Sequence, residues 1–198
     1  MTPLGTATPG ETPIDDLSGL KIRGITTRAE LNEHEAANIA KVVEKYLIVR
    51  PSKRTAKFSF SWCLQLHREM FGDVWDWAGN IRRQELTIGV AIHTIPERLE
   101  NLLLDLPVWN ESGMKMSEQA ARLHHRAVFV HPFQNGNGRW SRMLANIWLK
   151  LNRYPLTMWP ENVIGTESPV RNDYLAAVKK ADDFDYSELI SMHERFSE

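Results

Sequence analysis

The sequence predicts a mainly α-helical fold of about seven helices with one short β-hairpin. Apolar residues recur at helical spacing in about seven segments, and prolines, glycines or capping residues separate these segments. One stretch, residues 84–95, changes to the alternating pattern of an extended chain. The 198 residues, of which 42% are hydrophobic and 25% charged, suit a single folded domain.

Residues 1–20 are predicted to form an irregular N-terminal arm, because they contain three prolines, three glycines and four threonines. Residues 21–198 are predicted to form the single helical domain. Its first helix begins at Thr27, where Thr27 and Glu30 have the spacing of a capping box, and it ends before Pro51.

Six further helices are predicted, because in each segment the apolar residues lie on one stripe of the helix surface. They cover residues 58–71, follow Pro96 as far as Pro107, run from Ser117 to Val130, follow Gly138 as far as Leu151, run from Pro169 to Lys180, and run from Asp185 to Phe196.

A short β-hairpin or an extended flap is predicted over residues 84–95. In this stretch Ile88, Val90 and Ile92 alternate with smaller residues, and Gly89 lies inside the run. A lone hairpin is only marginally stable in water, so we expect the flap to pack against helices.

The composition disfavours several classes of function. Lys and Arg total 24 against 25 Asp and Glu, so the formal net charge of -1 argues against non-specific nucleic-acid binding. Cys63 is the only cysteine, which excludes an internal disulfide and a four-thiolate zinc site and favours a reducing cytoplasm. No apolar run approaches the ~18 residues of a membrane span, and no signal-peptide pattern is visible. We expect a cytoplasmic protein with neither a membrane nor a nucleic-acid partner.

A loop that binds phosphate is predicted between the fourth and fifth helices, where residues 131–142 read HPFQNGNGRWSR. Gly136 and Gly138 flank Asn137 and allow successive backbone N–H groups to converge on one point at the start of a helix. The unpaired N–H groups and the positive dipole end of that helix favour an anion, most naturally phosphate. The chain has no G-x-x-x-x-G-K-[ST] motif, so this would be a phosphate site of another type.

Charged and ring side chains accompany this loop. Arg139 and Arg142 lie three residues apart on one helix face, where both can bind further phosphate oxygens. His131 precedes the loop and is a candidate general base, because an ordinary imidazole with a pKa near ~6.5 is mostly neutral at pH 7. Phe133 is interpreted as an apolar anchor that holds the loop on the core.

These residues resemble the signature of the Fic family, H-x-F-x-[DE]-G-N-G-R-x-x-R, and match every specified position except that of Asn135. Residues 66–82, LHREMFGDVWDWAGNIR, are similar to the family's F-G-x-x-[WY]-x-W-A-G segment. Residues 84–96 fall where Fic proteins carry a hairpin that docks the target strand. The target-docking residues implied there are Thr87, Ile88, Gly89 and Val90. The segments TPIDDLSGLKI and ELNEHEAANI also resemble a bacterial Fic subgroup labelled mobile mystery protein B.

The resemblance implies transfer of AMP from ATP to a Ser, Thr or Tyr hydroxyl of a target protein. His131 would deprotonate the hydroxyl, and Arg139 and Arg142 would neutralise the leaving pyrophosphate. Gly136, Asn137 and Gly138 would hold the phosphates. Most Fic proteins carry a carboxylate where this chain has Asn135, and Mg²⁺ usually relies on at least one carboxylate, so metal binding at Asn135 stays open.

Two alternatives follow from the same residues. The first keeps the fold and changes the reaction to transfer of UMP, phosphate or phosphocholine, or to removal of AMP. The second is a nucleotide-binding interaction module that is slow or inactive because Asn135 carries no charge.

Regulation is the last expectation from the resemblance. Many Fic proteins are restrained by a helix bearing [ST]-x-x-x-E-[GN]. The segment from Thr26 to Glu30 matches this pattern only as far as the glutamate, since Leu31 replaces the small residue. A separate inhibitory protein, as in a toxin–antitoxin pair, would then supply the missing helix.

Overall fold

The computed structural model describes residues 17–164 and 168–198 and confirms the mainly helical fold. Seven helices of nine residues or more lie in this part of the chain, together with one four-residue turn, α6. The helices are α1 (Arg28–Val43), α2 (Phe60–Phe71), α3 (Ile95–Glu111), α4 (Met116–Val130), α5 (Asn137–Leu151), α6 (Glu161–Ile164), α7 (Pro169–Asp182) and α8 (Ser187–Arg195). A π-helical turn, Glu44–Ile48, extends α1.

The predicted start of the first helix is confirmed. The Thr27 hydroxyl accepts a hydrogen bond from the backbone N–H of Glu30 at 3.2 Å, and the Glu30 carboxylate accepts one from the N–H of Thr27 at 3.0 Å. This reciprocal pair satisfies two N–H groups that have no partner inside the helix. Pro169 likewise occupies the first turn of α7, as predicted.

Pro107 does not end α3, and that prediction was wrong. The helix continues through Pro107 to Glu111 and buries Leu106 and Trp109. A proline inside a helix removes one backbone hydrogen bond. Burial of two large apolar side chains around it outweighs that loss.

The predicted pairing of strands in the flap was also wrong, since residues 84–91 form a loop followed by a short 3-10 turn, Ile92–Thr94. Hydrogen bonds to α4 and within the segment hold the loop in place. Val90 N–H donates to the carbonyl of Val130 at 3.4 Å, and Ile92 N–H donates to the Glu85 carboxylate at 3.0 Å. Because these partners satisfy the backbone, the flap keeps its shape without a β ladder.

The main core joins α1 to α5, and α4 and α5 make the most extensive helix–helix contact among the described elements. Trp140 on α5 is fully buried there and donates its indole N–H to the carbonyl of Cys63 at 3.2 Å. A smaller cluster around Trp159 and Tyr174 lies beneath α7 and α8. The segment 131–136 is thereby held between the two central helices.

Residues 1–16 of the predicted arm lie outside the described residues. The end of the arm packs on the core, because Leu17 and Leu20 contact it and Leu20 pairs with Trp75 in an isolated β-bridge. The arm thus joins the core before α1 begins. In the described part of the chain, no helix has both the length and the apolar content needed to cross a bilayer.

Candidate active site

His131 caps the C-terminus of α4 in the left-handed conformation, with φ 52° and ψ 57°. A residue other than glycine costs about 1–3 kcal/mol in this region and persists only when its surroundings fix it. The carbonyl of His131 accepts a hydrogen bond from Arg82 Nε at 2.8 Å, and the backbone N–H of Arg82 donates to the carbonyl of Pro132 at 2.9 Å. Arg82 therefore holds the backbone on both sides of this strained residue.

The ring of His131 is in the neutral form required of a base. Burial is the main cause that lowers the pKa of His131, the hydrogen bond to the Val128 carbonyl opposes it, and the charge of Arg82 adds to the lowering, so that the pKa is about 4. Nδ1 lies 3.3 Å from that carbonyl and carries the ring proton that bonds to it. Nε2 is then the nitrogen that presents a lone pair.

Phe133 anchors the loop, as its apolar character predicts. It is fully buried, its ring stacks on His67 with centroids 3.6 Å apart, and it meets Trp140 edge-on at 5.0 Å. Its N–H donates to Asn137 Oδ1 at 2.9 Å and its carbonyl accepts from Asn137 Nδ2 at 2.8 Å. The Asn137 side chain therefore closes the loop on itself, and the group of Asn137 at the helix start that would serve a phosphate is its backbone N–H.

Gly136 is required by both conformation and space. Its φ is 78°, and a Cβ built on it would lie 2.7 Å from the Phe71 ring. Gly136 immediately precedes α5, so the first N–H groups of that helix point out of its N-terminus. The structure keeps the helix-start geometry on which the predicted phosphate site depends.

His67 supports this loop from below and was not assigned by sequence reasoning. The N–H of Gly79 donates to His67 Nδ1 at 3.0 Å, so the ring proton is on Nε2 and is donated to the carbonyl of Asn135 at 3.0 Å. Burial lowers the pKa of His67 to about 3, which keeps the ring neutral. Its place on the apolar face of α2 was the only signal in the sequence.

Asn135 does not fit a resident Mg²⁺. It is buried, and its Oδ1 already accepts the N–H of Gly136 at 2.6 Å. Residues 17–164 and 168–198 contain no group of three His, Cys, Asp or Glu side chains placed to hold a metal. A neutral, occupied oxygen without a neighbouring carboxylate is a poor ligand for a hard divalent cation.

Arg139 turns towards α1. Its Nη1 lies 2.7 Å from Glu35 Oε2, while Glu35 Oε1 accepts the indole N–H of Trp75 at 2.7 Å. Glu35 is almost fully buried, and Arg139 also lies over the Phe71 ring at 4.8 Å. The predicted phosphate ligand is thus paired with a carboxylate of its own chain.

Arg142 is paired in the same way, with a carboxylate of α6. Glu161 accepts from its Nε at 2.8 Å and from its Nη2 at 2.5 Å, and Tyr174 Oη accepts from its Nη1 at 3.4 Å. The Arg142 side chain is buried, whereas that of Glu161 is 52% exposed. Although burial alone would lower the pKa of Arg142, the neighbouring Glu161 carboxylate raises it overall.

A buried chain of neutral groups continues behind Tyr174. Its hydroxyl lies 2.9 Å from His124 Nε2, His124 Nδ1 lies 3.3 Å from His193 Nε2, and His193 Nδ1 lies 2.7 Å from Thr157 Oγ1. Because Arg142 can only donate, Tyr174 donates to His124, which donates to His193, which donates to Thr157. This series of hydrogen bonds links Thr157 through the two histidines and Tyr174 to the guanidinium of Arg142.

The flap lies directly beside His131. A Cβ built on Gly89 would come within 2.5 Å of His131 Cβ, and Val90 is half-buried. Thr87 and Ile88 are exposed beyond it. The structure therefore brings together the predicted base, loop and flap, with both predicted arginines engaged elsewhere.

Glu35 and Glu161 were both missed by sequence reasoning. For Glu161 a signal exists, since residues 157–162 read TMWPEN and fit the pattern [ST]-x-x-x-E-[GN], including the residue after the glutamate. Glu35 has no local signal, because its partner Arg139 is 104 positions away in sequence.

Comparison with known proteins identifies relatives for this site. Residues 57–149 match the Fic/DOC family model. A protein adenylyltransferase of Caenorhabditis briggsae is 34% identical over 114 residues, which cover 55% of this chain and 22% of the relative. A protein adenylyltransferase of Drosophila yakuba is 32% identical over 127 residues, covering 62% of this chain and 24% of the relative. The match thus spans less than a quarter of the length of these relatives.

Solved structures share the fold. Fic-1 (residues 134–508) from C. elegans superposes with a TM-score of 0.70 at 24% identity, covering 90% of this chain and 52% of that one. The BepC protein of Bartonella tribocorum, a VirB-translocated effector solved with bound AMPPNP, gives a TM-score of 0.66 at 19% identity, covering 97% and 95%.

Proposed function

We propose, from the premise that residues 57–149 form a domain of the Fic/DOC family, that this chain is a protein adenylyltransferase. The observation that carries the proposal is the neutral imidazole of His131, fixed at the end of α4 beside the loop that opens the N-terminus of α5. The relatives named protein adenylyltransferases support AMP as the transferred group.

The reaction follows from these positions. His131 Nε2 takes the proton from a Ser, Thr or Tyr hydroxyl of the target, whose oxygen attacks the α-phosphorus of ATP. A new bond joins that oxygen to phosphorus, the bond between the α-phosphorus and its bridging oxygen breaks, and pyrophosphate leaves. The backbone N–H groups of Gly136, Asn137 and Gly138 stabilise the phosphate charge at the helix start. The flap, with Thr87, Ile88, Gly89 and Val90, docks the target chain.

ATP is the substrate in this proposal. Since Asn135 does not fit a resident metal ion, Mg²⁺ is expected to enter bound to the phosphates of ATP. No step is assigned to a metal held by the protein.

The described structure is a restrained state in this proposal. Phosphate oxygens need the donors of Arg142 that Glu161 now occupies, so Glu161 must withdraw before ATP binds productively. A carboxylate within the chain therefore supplies the restraint that the resemblance alone led us to expect from a separate inhibitory protein. A toxin–antitoxin role would require such a partner in addition.

One specific observation favours a second candidate, a nucleotide-binding interaction module. Asn135 stands where the family carries a carboxylate, and its oxygen is already used within the loop. The alternative reactions, which are transfer of UMP, phosphate or phosphocholine and removal of AMP, would use the same base and the same backbone N–H groups at the start of α5.

The test is transfer of labelled AMP from ATP to proteins of a cell lysate in Mg²⁺ or Mn²⁺. We expect labelling by the wild type, and loss of about 10²- to 10⁴-fold in His131→Ala because the general base is removed. His34→Ala is the matched control, since His34 is exposed on α1. Labelling that persists in His131→Ala would refute the assigned base.

The same assay separates the candidates. Nucleotide binding without any transfer supports the interaction module, and transfer that appears only in Asn135→Asp identifies the missing carboxylate as the defect. Labelled UTP and CDP-choline in parallel reactions test the other groups.

A further inference from the structure

Arg82 is buried, with 3% of its surface exposed, and it contacts three separate segments of the chain. Nε donates to the carbonyl of His131 at 2.8 Å, and Nη1 donates to the carbonyl of Gln84 at 2.9 Å. Nη2 donates to the carbonyl of Val90, and Glu85 accepts from Nη1 at 3.2 Å. One guanidinium thus bonds to both ends of the flap and to the residue that carries the predicted base.

The three carbonyls that these contacts reach, of Gln84, Val90 and His131, lie outside the helices. The carbonyls at the end of a helix lack partners within it, and the carbonyl of His131 lies just beyond α4. The flap has no β ladder to hold its two arms together. A cation at a helix C-terminus also interacts favourably with the helix dipole.

We propose that Arg82 is a positioning residue that holds the flap and the backbone of His131 as one unit. A target hydroxyl that docks on the flap is thereby aligned with the imidazole of His131. The expected effect of Arg82 on catalysis rests on the proposed transfer reaction. This role deepens that function by assigning target alignment to a residue outside the loop at 131–142.

The planar fork of the side chain is essential to this role. Its donors leave in three directions towards His131, Gln84 and Val90, and all three acceptors are backbone carbonyls. A lysine ammonium is a single point donor on a flexible stem and cannot span the three. Arg82→Lys keeps the charge and loses the geometry, whereas Arg82→Gln loses both.

The test uses the full chain with Arg82→Lys and Arg82→Gln, and the exposed neighbour Arg83→Gln as control. Hydrogen exchange is measured at the amides of residues 84–92, and transfer kinetics are measured separately for ATP and for a target protein. We expect exchange in the flap to accelerate at least tenfold in both Arg82 variants. We expect kcat with the target to fall on the order of 100-fold, as a misplacement of about 1 Å does, with the KM for ATP within about twofold.

The outcomes separate this role from general loss of stability. Unchanged flap exchange, or equal changes in the KM for ATP and in kcat, would overturn the inference. If the Arg82 variants do not fold, Glu85→Ala takes their place, because Glu85 joins Arg82 to the N–H of Ile92. It is expected to shift flap exchange in the same direction by a smaller factor, and no shift would overturn the inference. If the wild type transfers nothing, the proposed function fails while the exchange measurement still decides the role of Arg82.

Discussion

The two sides of the candidate site are prepared to different degrees. On the base side, His131 is neutral, its carbonyl is fastened by Arg82 and the flap lies against it. On the phosphate side, Arg139 is paired with Glu35 and Arg142 with Glu161. The base side is arranged for reaction, whereas the phosphate side is arranged to bind carboxylates of its own chain.

This difference indicates where the site is regulated. A base that is already neutral and oriented needs no rearrangement before reaction. Arginine donors that are already bonded must be released before they bind phosphate, and that release has a free-energy cost. Under the proposed function, entry of the nucleotide, rather than activation of the base, is therefore the step that the chain would control.

The largest expected effect concerns a property that both sides share, namely burial of neutral histidines. Burial lowers the pKa of His131 to about 4 and that of His67 and His193 to about 3, and the pKa of His124 lies well below its usual value. An unfolded histidine titrates near ~6.5. Below that pH the unfolded chain binds protons that the folded chain does not, so stability present above about pH 6.5 is lost as the pH falls towards about 4.

Each such histidine contributes a slope to the free energy of unfolding that approaches about 1.4 kcal/mol per pH unit well below pH ~6.5 and averages about 1 kcal/mol per pH unit between pH 7 and pH 5. Urea unfolding between pH 7 and pH 5 measures it. His67→Gln on the base side and His193→Gln on the phosphate side should each reduce the slope by about that amount, with exposed His34→Gln as control. If the pH slope of the free energy of unfolding falls in only one of the two variants, the stability of the two sides of the site does not depend equally on neutral histidines.

Removal of the carboxylate that occupies Arg142 gives the next largest effect. In Glu161→Gln the charge that competes with phosphate is gone, and ATP is expected to bind about 5- to 30-fold more tightly. This corresponds to about 1–2 kcal/mol for a charge-assisted pair that is partly screened by solvent. Calorimetric titration with ATP measures it, with Glu188→Gln as a matched surface control.

The corresponding variant on α1, Glu35→Gln, should strengthen ATP binding less, by about 2- to 5-fold. Glu35 uses one donor of Arg139 and leaves the others for phosphate, whereas Glu161 uses two donors of Arg142 and Tyr174 a third. A larger gain from Glu35→Gln than from Glu161→Gln would reverse the ranking of the two restraints.

Local patterns predicted the fold well where neighbouring residues determine the structure. The capping box at Thr27, the proline at the start of α7 and the apolar stripes all act within a few residues, and the structure confirms them. Pro107 and the flap failed for the opposite reason. Trp109 is buried with Arg126 of the next helix over its ring, and the hydrogen-bond partners of Val90 are Arg82 and Val130.

The site shows the same division. The loop from His131 to Gly138 is continuous in sequence, so its spacing was readable. The interactions that fix it are not local, because His67 reaches Asn135 across 68 positions. The restraint on Arg142 comes from Glu161, which lies 19 positions further along the chain. Residues 157–162 fit the pattern [ST]-x-x-x-E-[GN], but only the ion pair in the structure connects that pattern to Arg142.

The smallest expected effect concerns Tyr174, which links Arg142 to the buried histidine chain. Tyr174→Phe removes the acceptor of Arg142 Nη1 at a distance of 3.4 Å, a weak hydrogen bond that helps to orient the guanidinium, so ATP affinity should fall only about 2-fold. The loss should be greater in a Glu161→Gln background, where the contact with Tyr174 still orients the guanidinium. Calorimetric titration of both backgrounds, with exposed Tyr154→Phe as control, measures the coupling. Equal losses in the two backgrounds would instead show that Tyr174 orients Arg142 independently of the restraint by Glu161.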